Sequence, residues 1–196
     1  MVKAAVCRQF NTPLSIEEIK LAPPGAQDVV VDVKACAICH SDITYTEGHW
    51  GGPLPAIYGH EAAGIVRETG PAVTGLKPGD HVVVTLIRSC GSCHYCSQGS
   101  SVMCEETFDL DRNGPCSTAG GEPLFQSMRS GAFAERIVVH QSQMARIPES
   151  IPFASASLLA CGVITGYGSV TNTARLKPGQ TAAVVGCGGV GLNAIQ

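Results

Sequence analysis

Four cysteines in one short stretch limit how this chain can fold more than any other feature. The segment SCGSCHYCSQGSSVMC spaces them as C-x2-C-x2-C-x7-C, at Cys90, Cys93, Cys96 and Cys104. Four thiolates this close together can complete a tetrahedron around Zn²⁺ with no open position, which is what a structural zinc site requires. We therefore predict a structural zinc knuckle, in which His94 is a bystander.

An iron–sulfur cluster and unligated thiols are the alternatives to zinc at this knuckle. The bacterial cluster pattern places its fourth cysteine four residues after the third and follows it with proline. Here eight residues lead from Cys96 to Cys104, and Glu105 follows. The spacing favours zinc over a cluster.

Three further candidate ligands are scattered along the chain: Cys39 in ACAICHSD, His60 in YGHEAAG and Cys161 in LLACGVITGYG. A single cysteine is usually a small buried apolar residue, so none of the three indicates a metal by itself. Together they form a Cys₂His set, the ligand type of a catalytic zinc that keeps a fourth position for water or substrate. His60 and Glu61 do not begin the H-E-x-x-H helix of a metalloprotease, because its second histidine would fall on Gly64.

Composition and charge argue against several classes of function. Ten cysteines in a chain without an N-terminal secretion signal indicate a reducing, cytoplasmic compartment, where thiols serve metals or catalysis. The net charge of −3 and the lack of a Lys/Arg run argue against a nucleic-acid partner. The charge-free stretch from Ile151 to Ala174 contains a proline, three glycines and several Ser/Thr residues. We expect a buried segment there and no membrane span.

The first 150 residues have the pattern of short strands separated by turns. Apolar runs predict strands at Val29–Ala35, Ala62–Glu68, His81–Ile87 and Ala134–His140. Pro-Gly and Asn-Gly sequences supply turns. This pattern predicts a mostly β domain with an irregular barrel, followed after Pro152 by a segment that is helical in parts.

The sequence TAAVVGCGGVGLNAIQ, residues 181–196, contains a G-x-G-x-x-G pattern with glycines at Gly186, Gly188, Gly189 and Gly191. An apolar strand, AAVV, is predicted before it and a helix, LNAIQ, after it, which is the context a dinucleotide-binding loop needs. The glycines let the backbone approach a phosphate at the helix N-terminus. We predict a zinc-binding domain over residues 1–174 and the first β-turn-α of a Rossmann domain over residues 175–196.

Six motifs occur together in the order and spacing of one known family. CHSD, GHEAAGIV, KPGDHVV, the four-cysteine knuckle, ACGVITGYG and GCGGVG make the whole chain resemble the zinc-containing medium-chain alcohol dehydrogenases. The cysteine in ACG makes the chain resemble the alcohol-dehydrogenase branch of the family, since polyol-type relatives usually have glutamate at that position. Within that branch the chain resembles aryl-alcohol and glutathione- or mycothiol-dependent formaldehyde dehydrogenases, which the sequence does not separate.

The resemblance implies a GroES-like catalytic domain, two zinc ions per chain, NAD(P) as cofactor and a primary or aromatic alcohol or aldehyde as substrate. It implies a homodimer or homotetramer for the full-length enzyme. It also implies that Cys39, His60 and Cys161 bind the catalytic zinc. Glu61 would lie behind that ion, and Asp42 would hydrogen-bond to His60.

Other positions carry implied roles in proton transfer and cofactor binding. Ser41 would take up the hydroxyl proton of the alcohol, and Thr165 matches a position near the nicotinamide ring. Two positions depart from the family's pattern. The histidine that often passes the proton onward is Thr44 here. The arginine that often contacts the cofactor pyrophosphate is His40, which predicts weaker, pH-dependent cofactor binding.

Trp50 and Leu86 fall where the family lines its substrate pocket, and an indole beside a branched alkyl group favours an apolar or aromatic alcohol.

The acidic residue that reads the cofactor ribose lies about twenty residues after the glycine loop in this kind of fold. The sequence has only five residues after Gly191, so it does not distinguish NAD from NADP. We expect the 196-residue chain to be the N-terminal half of a longer enzyme, which binds zinc but does not turn over alone. The alternative is a non-catalytic zinc-bearing β domain with a structural or interaction role.

Overall fold

The structure is a computed structural model that describes residues 1–196. Its strands are β1 (Val2–Cys7), β2 (Ser15–Leu21), β3 (Asp28–Ala37), β4 (Ala56–Ile57), β5 (Glu61–Thr69), β6 (His81–Val84), β7 (Cys116–Thr118), β8 (Pro123–Gln126), β9 (Arg136–His140) and β10 (Met144–Arg146). Its helices are α1 (His40–Thr46), α2 (His94–Ser97), α3 (Asp109–Asn113), α4 (Phe153–Ala174) and α5 (Gly189–Ile195). Short 3₁₀ turns occupy Ser101–Met103, Ser127–Arg129 and Gln141–Gln143.

The strands form a closed barrel and a second sheet. The barrel has the order β1-β2-β7-β8-β4, and the five-stranded sheet has the order β10-β6-β5-β3-β9. In the sheet, β5 pairs antiparallel with both β3 and β6. The register between β3 and β5 shifts at two irregularities. The mostly β fold with an irregular barrel is therefore confirmed.

The predicted strands are present with shifted ends. The strand predicted at His81–Ile87 stops at Val84, where its pairing with Met144, the first residue of β10, also stops. A strand cannot continue beyond the partner that supplies its hydrogen bonds. The strand predicted from Ala134 begins at Arg136 instead, and Ala134 makes only an isolated bridge.

Branched apolar residues fill both layers. The larger buried cluster lies in the five-stranded sheet and contains Val29, Val31, Ala62, Val66, Val82, Val84, Ala132, Ile137 and Val139. The barrel encloses a second cluster of Val2, Ala4, Val6, Ile19, Ile57, Cys116 and Leu124. β-Branched side chains pack well on a pleated surface, which is why these runs form strands. The sheet holds the ends of β3 and β5, where the candidate site lies.

Helix α4 packs against β3 and β5 and contains two π turns, Leu159–Val163 and Ser169–Ala174. This helix is long and apolar enough to cross a membrane, but core helices of water-soluble proteins also meet these criteria of length and composition. Its buried positions include Ala156 and Ala160. Only 22% of its most apolar 18-residue stretch is buried, so the burial expected for this segment is only partly confirmed.

The segment after α4 differs from the prediction. Residues 175–188 contain no helix or strand, and Val185 is fully exposed. The apolar run at 182–185 forms no strand because no other strand of the chain lies beside it to exchange hydrogen bonds. The predicted helix is present as α5, and it packs so closely on α4 that a methyl group on Gly166 would lie 2.5 Å from the Val190 carbonyl oxygen. The domain boundary after residue 174 stays a prediction.

Candidate metal centres and active site

The four knuckle cysteines lie together in the loop after β6. All their Sγ atoms are within 4.8 Å of one another. The Cys90–Cys96 and Cys93–Cys104 pairs are 4.0 and 3.9 Å apart. Sulfurs bound about 2.3 Å from a tetrahedral ion lie about 3.8 Å from one another, so these thiols fit a zinc ion. His94 is exposed and is not one of the clustered groups.

Backbone N–H groups prepare the knuckle thiols for a metal. Cys90 Sγ accepts hydrogen bonds from the N–H of Ser92 at 3.5 Å and of Cys93 at 3.2 Å. These donors lower the pKa of Cys90 to about 6. Cys104 Sγ accepts from the N–H of Cys90 at 3.3 Å. Zinc binds the thiolate form, so these donors favour ionisation of Cys90, whereas desolvation raises the pKa of Cys96 to about 11 in the metal-free chain.

A second cluster joins residues that are far apart in the sequence. Donor atoms of Cys39, His60, Glu61 and Cys161 all lie within 4.8 Å of one another. Cys39 is the N-cap of α1, His60 and Glu61 stand where β5 begins, and Cys161 lies in the first π turn of α4. Two thiolates and one imidazole are the donors of an open zinc site, so the residues present fit that ion.

Asp42 orients the imidazole of His60. His60 Nδ1 lies 3.2 Å from Asp42 Oδ1, and both side chains are buried. The same carboxylate accepts the backbone N–H groups of Gly59 at 3.0 Å and Cys39 at 2.9 Å. A carboxylate behind a histidine sets its tautomer and leaves the other nitrogen free for a metal. Asp42 thus connects the segment that carries Cys39 with the segment that carries His60.

The ionisation of His60 depends on these neighbours. Burial alone would lower the pKa of His60, but hydrogen bonds with Asp42 and Cys161 raise it to about 10 in the metal-free chain. His60 in turn lowers the pKa of Cys161. Without metal the imidazole of His60 is therefore protonated at neutral pH.

We expect the destabilisation caused by Asp42→Asn in the zinc-free chain to shrink as the pH rises. A raised histidine pKa contributes stability that is fully present below the unfolded-state value of about 6.5. That stability is lost as the pH rises through the folded-state value of about 10. Urea unfolding of wild type and Asp42→Asn at several pH values between these limits, with a chelator present, measures the difference. The other titrating groups are common to both proteins, so a difference independent of pH would contradict this assignment.

Gly59 places His60 through a conformation that suits only glycine. Its φ is +92°, and an added Cβ would lie 2.6 Å from the Phe133 ring and 2.7 Å from the Phe133 nitrogen. That nitrogen donates to the Tyr58 carbonyl at 2.9 Å, so it cannot easily withdraw. Gly79 has a similar φ of +94° with open space around it.

We expect Gly79→Ala to lower the free energy of unfolding by about 1–2 kcal/mol, the cost of the left-handed conformation. Gly59→Ala should cost more, because the clash with Phe133 is added to the same conformational cost. Urea unfolding of both variants measures the two changes. Equal losses in the two variants would show that the close approach to Phe133 has no energetic weight.

The residues predicted for proton transfer and cofactor contact stand on α1. His40 is exposed and Ser41 is half-buried. Thr44 Oγ1 donates a hydrogen bond to the His40 carbonyl at 3.0 Å. The hydroxyl proton of Thr44 is therefore engaged with the helix backbone and does not extend a relay from Ser41.

Thr165 contacts a metal-ligand candidate. It follows Cys161 by one helical turn, and its Oγ1 lies 3.8 Å from Cys161 Sγ. The hydroxyl is, after His60, a second hydrogen-bonding group that lowers the pKa of Cys161. The structure thus gives Thr165 a contact that the sequence did not suggest, in addition to the cofactor role predicted for it.

The four glycines of the fingerprint lie in the turn before α5 and in the first turn of that helix. Gly186 has a φ of +94°, and a carbon on Gly191 would overlap the Gly186 carbonyl oxygen. Gly188 is the N-cap of α5, and Gly188 and Gly189 have open space around them. Two of the glycines are thus needed by the turn itself, and the other two leave the helix N-terminus accessible.

The two residues predicted for the substrate pocket lie on separate loops. Trp50 is 59% exposed and packs edge-on against Tyr45, with ring centroids 5.0 Å apart. Tyr45 stacks on buried Tyr58 at 5.7 Å, so aromatic neighbours support the indole. Leu86 is half-buried in the segment between β6 and the knuckle. Their role in binding substrate stays a prediction.

Arg88 is the structural residue that the sequence analysis missed. Its side chain is completely buried. It donates to Asp111 Oδ1 at 2.8 Å, Gln143 Oε1 at 2.8 Å and the Arg129 carbonyl at 3.1 Å. It therefore fastens residues 89–114, here called the knuckle lobe, to the rest of the fold. Nothing in its neighbouring sequence distinguishes it from an exposed arginine.

Comparisons with known proteins agree with this architecture. Residues 25–149 match the family model described as the alcohol dehydrogenase GroES-like domain. Alcohol dehydrogenase B of Mycobacterium tuberculosis is 40% identical over 99% of this chain and 54% of its own length. The chain therefore spans about half the length of the curated relatives it matches.

Two solved structures are similar over nearly the whole chain. An alcohol dehydrogenase zinc-binding domain protein from Burkholderia ambifaria superposes with a TM-score of 0.92 at 34% identity, over 99% of this chain and 54% of that one. Benzyl alcohol dehydrogenase from Acinetobacter calcoaceticus superposes with a TM-score of 0.86 at 29% identity, over 98% of this chain and 54% of that one. The chain belongs to the zinc-containing medium-chain alcohol dehydrogenase family.

Proposed function

We propose that this chain carries the catalytic site of a zinc-dependent alcohol dehydrogenase, which transfers a hydride between a primary or aromatic alcohol and NAD(P). The observation that supports this most directly is the Cys39–His60–Cys161 cluster. Three such ligands leave a position for substrate, whereas the four-thiolate knuckle is closed. An ion with a purely structural role would gain nothing from an open position.

The chain's own residues would hold the ion and move a proton. Cys39, His60 and Cys161 would be the ligands, and Asp42 would keep its hydrogen bond to His60 Nδ1. When bound, zinc supplies a Lewis acid that lowers the pKa of the alcohol hydroxyl, and the nicotinamide accepts the hydride. Ser41 Oγ would accept the hydroxyl proton and pass it to water, because the Thr44 hydroxyl is engaged with a backbone carbonyl.

Cofactor binding would use the exposed first residue of α1 and the turn before α5. His40, when protonated, supplies a positive charge for the pyrophosphate. The turn at Gly186–Gly191 supplies backbone N–H groups at a helix N-terminus, which favours phosphate. Thr165 would lie near the nicotinamide while also contacting Cys161.

An aromatic alcohol is the substrate class that the chain favours. The exposed indole of Trp50 offers a flat apolar face, and aromatic rings pair well with such a face. A benzyl alcohol dehydrogenase is among the similar structures. A thiol-dependent formaldehyde dehydrogenase is the alternative within the family, and its substrate would be a polar thiol adduct.

Zinc content and turnover test the proposal. Native mass spectrometry of the chain should find two zinc ions, and Cys161→Ser should retain one. Turnover can be measured in a chimera in which residues 1–196 replace the matched half of the Mycobacterium tuberculosis relative, with benzyl alcohol, ethanol and a formaldehyde–thiol adduct offered with NAD⁺ or NADP⁺. We expect benzyl alcohol to be preferred and the Cys161→Ser chimera to be inactive. A chimera that holds two zinc ions and oxidises none of the three substrates would overturn the proposal.

A further inference from the structure

The junction of α4 with β5 contains a contact that the proposed mechanism does not use. Cys161 lies in the π turn Leu159–Val163, where the backbone departs from the α-helical hydrogen-bond pattern. The N–H of the next residue, Gly162, donates to Glu61 Oε2 at 3.4 Å. Glu61 is only 4% exposed. Its carboxylate is a buried polar group that reaches from a strand to a helix backbone.

Glu61 stands on a part of the sheet that already fixes two of the three candidate ligands. It is the first residue of β5, immediately after His60, and its partner on β3 is Ala37, two residues before Cys39. The register of β3 and β5 therefore sets Cys39 and His60 relative to each other. Cys161 is the exception, because it belongs to α4. The Glu61 side chain connects that third ligand segment to the sheet.

The carboxylate could instead be a fourth metal ligand, since its oxygen lies within 4.8 Å of the other donors. Its charge, however, opposes the thiolates. The carboxylate has the same negative charge as a thiolate of Cys161, so it does not favour the ionised form that binds metal. A carboxylate ligand would also fill the open position on which the proposed reaction depends. The hydrogen bond to Gly162 gives Glu61 a role that requires neither its negative charge nor direct binding of the metal.

We infer that Glu61 is a positioning residue, which holds Cys161 in place by accepting the Gly162 N–H through its side-chain oxygen rather than by its charge. This inference rests on the metal site of the proposed function, but not on turnover. Glutamine keeps an oxygen at the same distance from the backbone and loses the charge. Alanine loses both.

The test compares metal binding by Glu61→Gln and Glu61→Ala in the 196-residue chain. The knuckle is first filled with one equivalent of zinc, and Co²⁺ is then titrated as the probe. Cobalt reports its ligands through thiolate charge-transfer and d–d absorption bands. Glu68→Ala, at an exposed position of the same strand, is the matched control. Hydrogen-exchange protection of the core residues Val31 and Val83 confirms that the sheet of each variant is folded.

We expect Glu61→Gln to bind Co²⁺ within about threefold of wild type, with unchanged absorption bands. Glu61→Ala should bind about 10–100-fold more weakly, the usual cost of removing a group that supports a metal ligand. Equal weakening in both variants would overturn the inference in favour of charge or direct ligation, as would shifted bands in Glu61→Gln. Wild-type affinity in Glu61→Ala would also overturn it. If wild type itself binds no Co²⁺ beyond the knuckle, the proposed function fails instead.

Discussion

Replacing Cys96 by serine should remove one zinc ion and unfold the knuckle lobe while the five-stranded sheet stays folded. No residue from Ser89 to Gly114 is buried, and neither large apolar cluster includes a residue of the lobe. The lobe therefore lacks a hydrophobic core of its own. Structural zinc contributes about 10–16 kcal/mol in small zinc-binding domains, so this ion is expected to be the main source of order there.

Hydrogen exchange measured together with zinc content checks this result. Amides of residues 89–114 should lose protection in Cys96→Ser, and those of the core residues Val31 and Val83 should keep it. Cys187→Ser is the control, because Cys187 is exposed and lies outside both thiol clusters. Unchanged zinc content in Cys96→Ser, or loss of protection throughout the sheet, would contradict the prediction.

Replacing Asp111 by alanine should lower the free energy of unfolding by about 3–5 kcal/mol, the usual cost of leaving a buried charge unpaired. The Arg88 side chain is 0% exposed, and its buried guanidinium has Asp111 as its close carboxylate partner. Burial lowers the pKa of Arg88, and the negative charge of Asp111 acts in the opposite direction. The Phe108 ring lies 5.3 Å from the guanidinium carbon and gives weaker support.

A double-mutant cycle isolates this pair. Arg88→Met should cost less than Asp111→Ala, because the other two acceptors keep a donor: Gln143 Oε1 accepts from the His140 N–H, and the Arg129 carbonyl accepts from Gln143 Nε2. The double variant should therefore cost less than the sum of the single ones. All proteins are unfolded by urea with zinc bound.

Asp109→Ala supplies the matched control for an exposed pair. Asp109 is 88% exposed and forms an ion pair with Arg112, which is 59% exposed. Such pairs contribute about 0–1 kcal/mol, so the stability of this variant should hardly change. Equal losses in Asp109→Ala and Asp111→Ala would show that Arg88 does not depend on its carboxylate.

The sequence predicted the strands of the sheet well where apolar runs were long. The segments around Val29–Val31 and Ala62–Val66 have many β-branched and small residues and no proline, and they became the centre of the sheet. Their ends were less predictable, since the end of β6 depends on where β10 begins. The apolar run at 182–185 shows the same limit, because strand propensity does not supply a neighbouring strand.

The sequence by itself determined the features whose geometry is local. The four knuckle cysteines lie within one loop, so their spacing alone predicts that their thiols lie close enough to share a metal ion, and the turn at Gly186–Gly191 is equally local. Only the tertiary structure brought Cys39, His60 and Cys161 together, buried Arg88 against Asp111 and set Glu61 against Gly162. The physical reason is that chain connectivity limits distances only between near neighbours. Contacts between distant segments depend on strand register and helix packing, which all parts of the chain determine together.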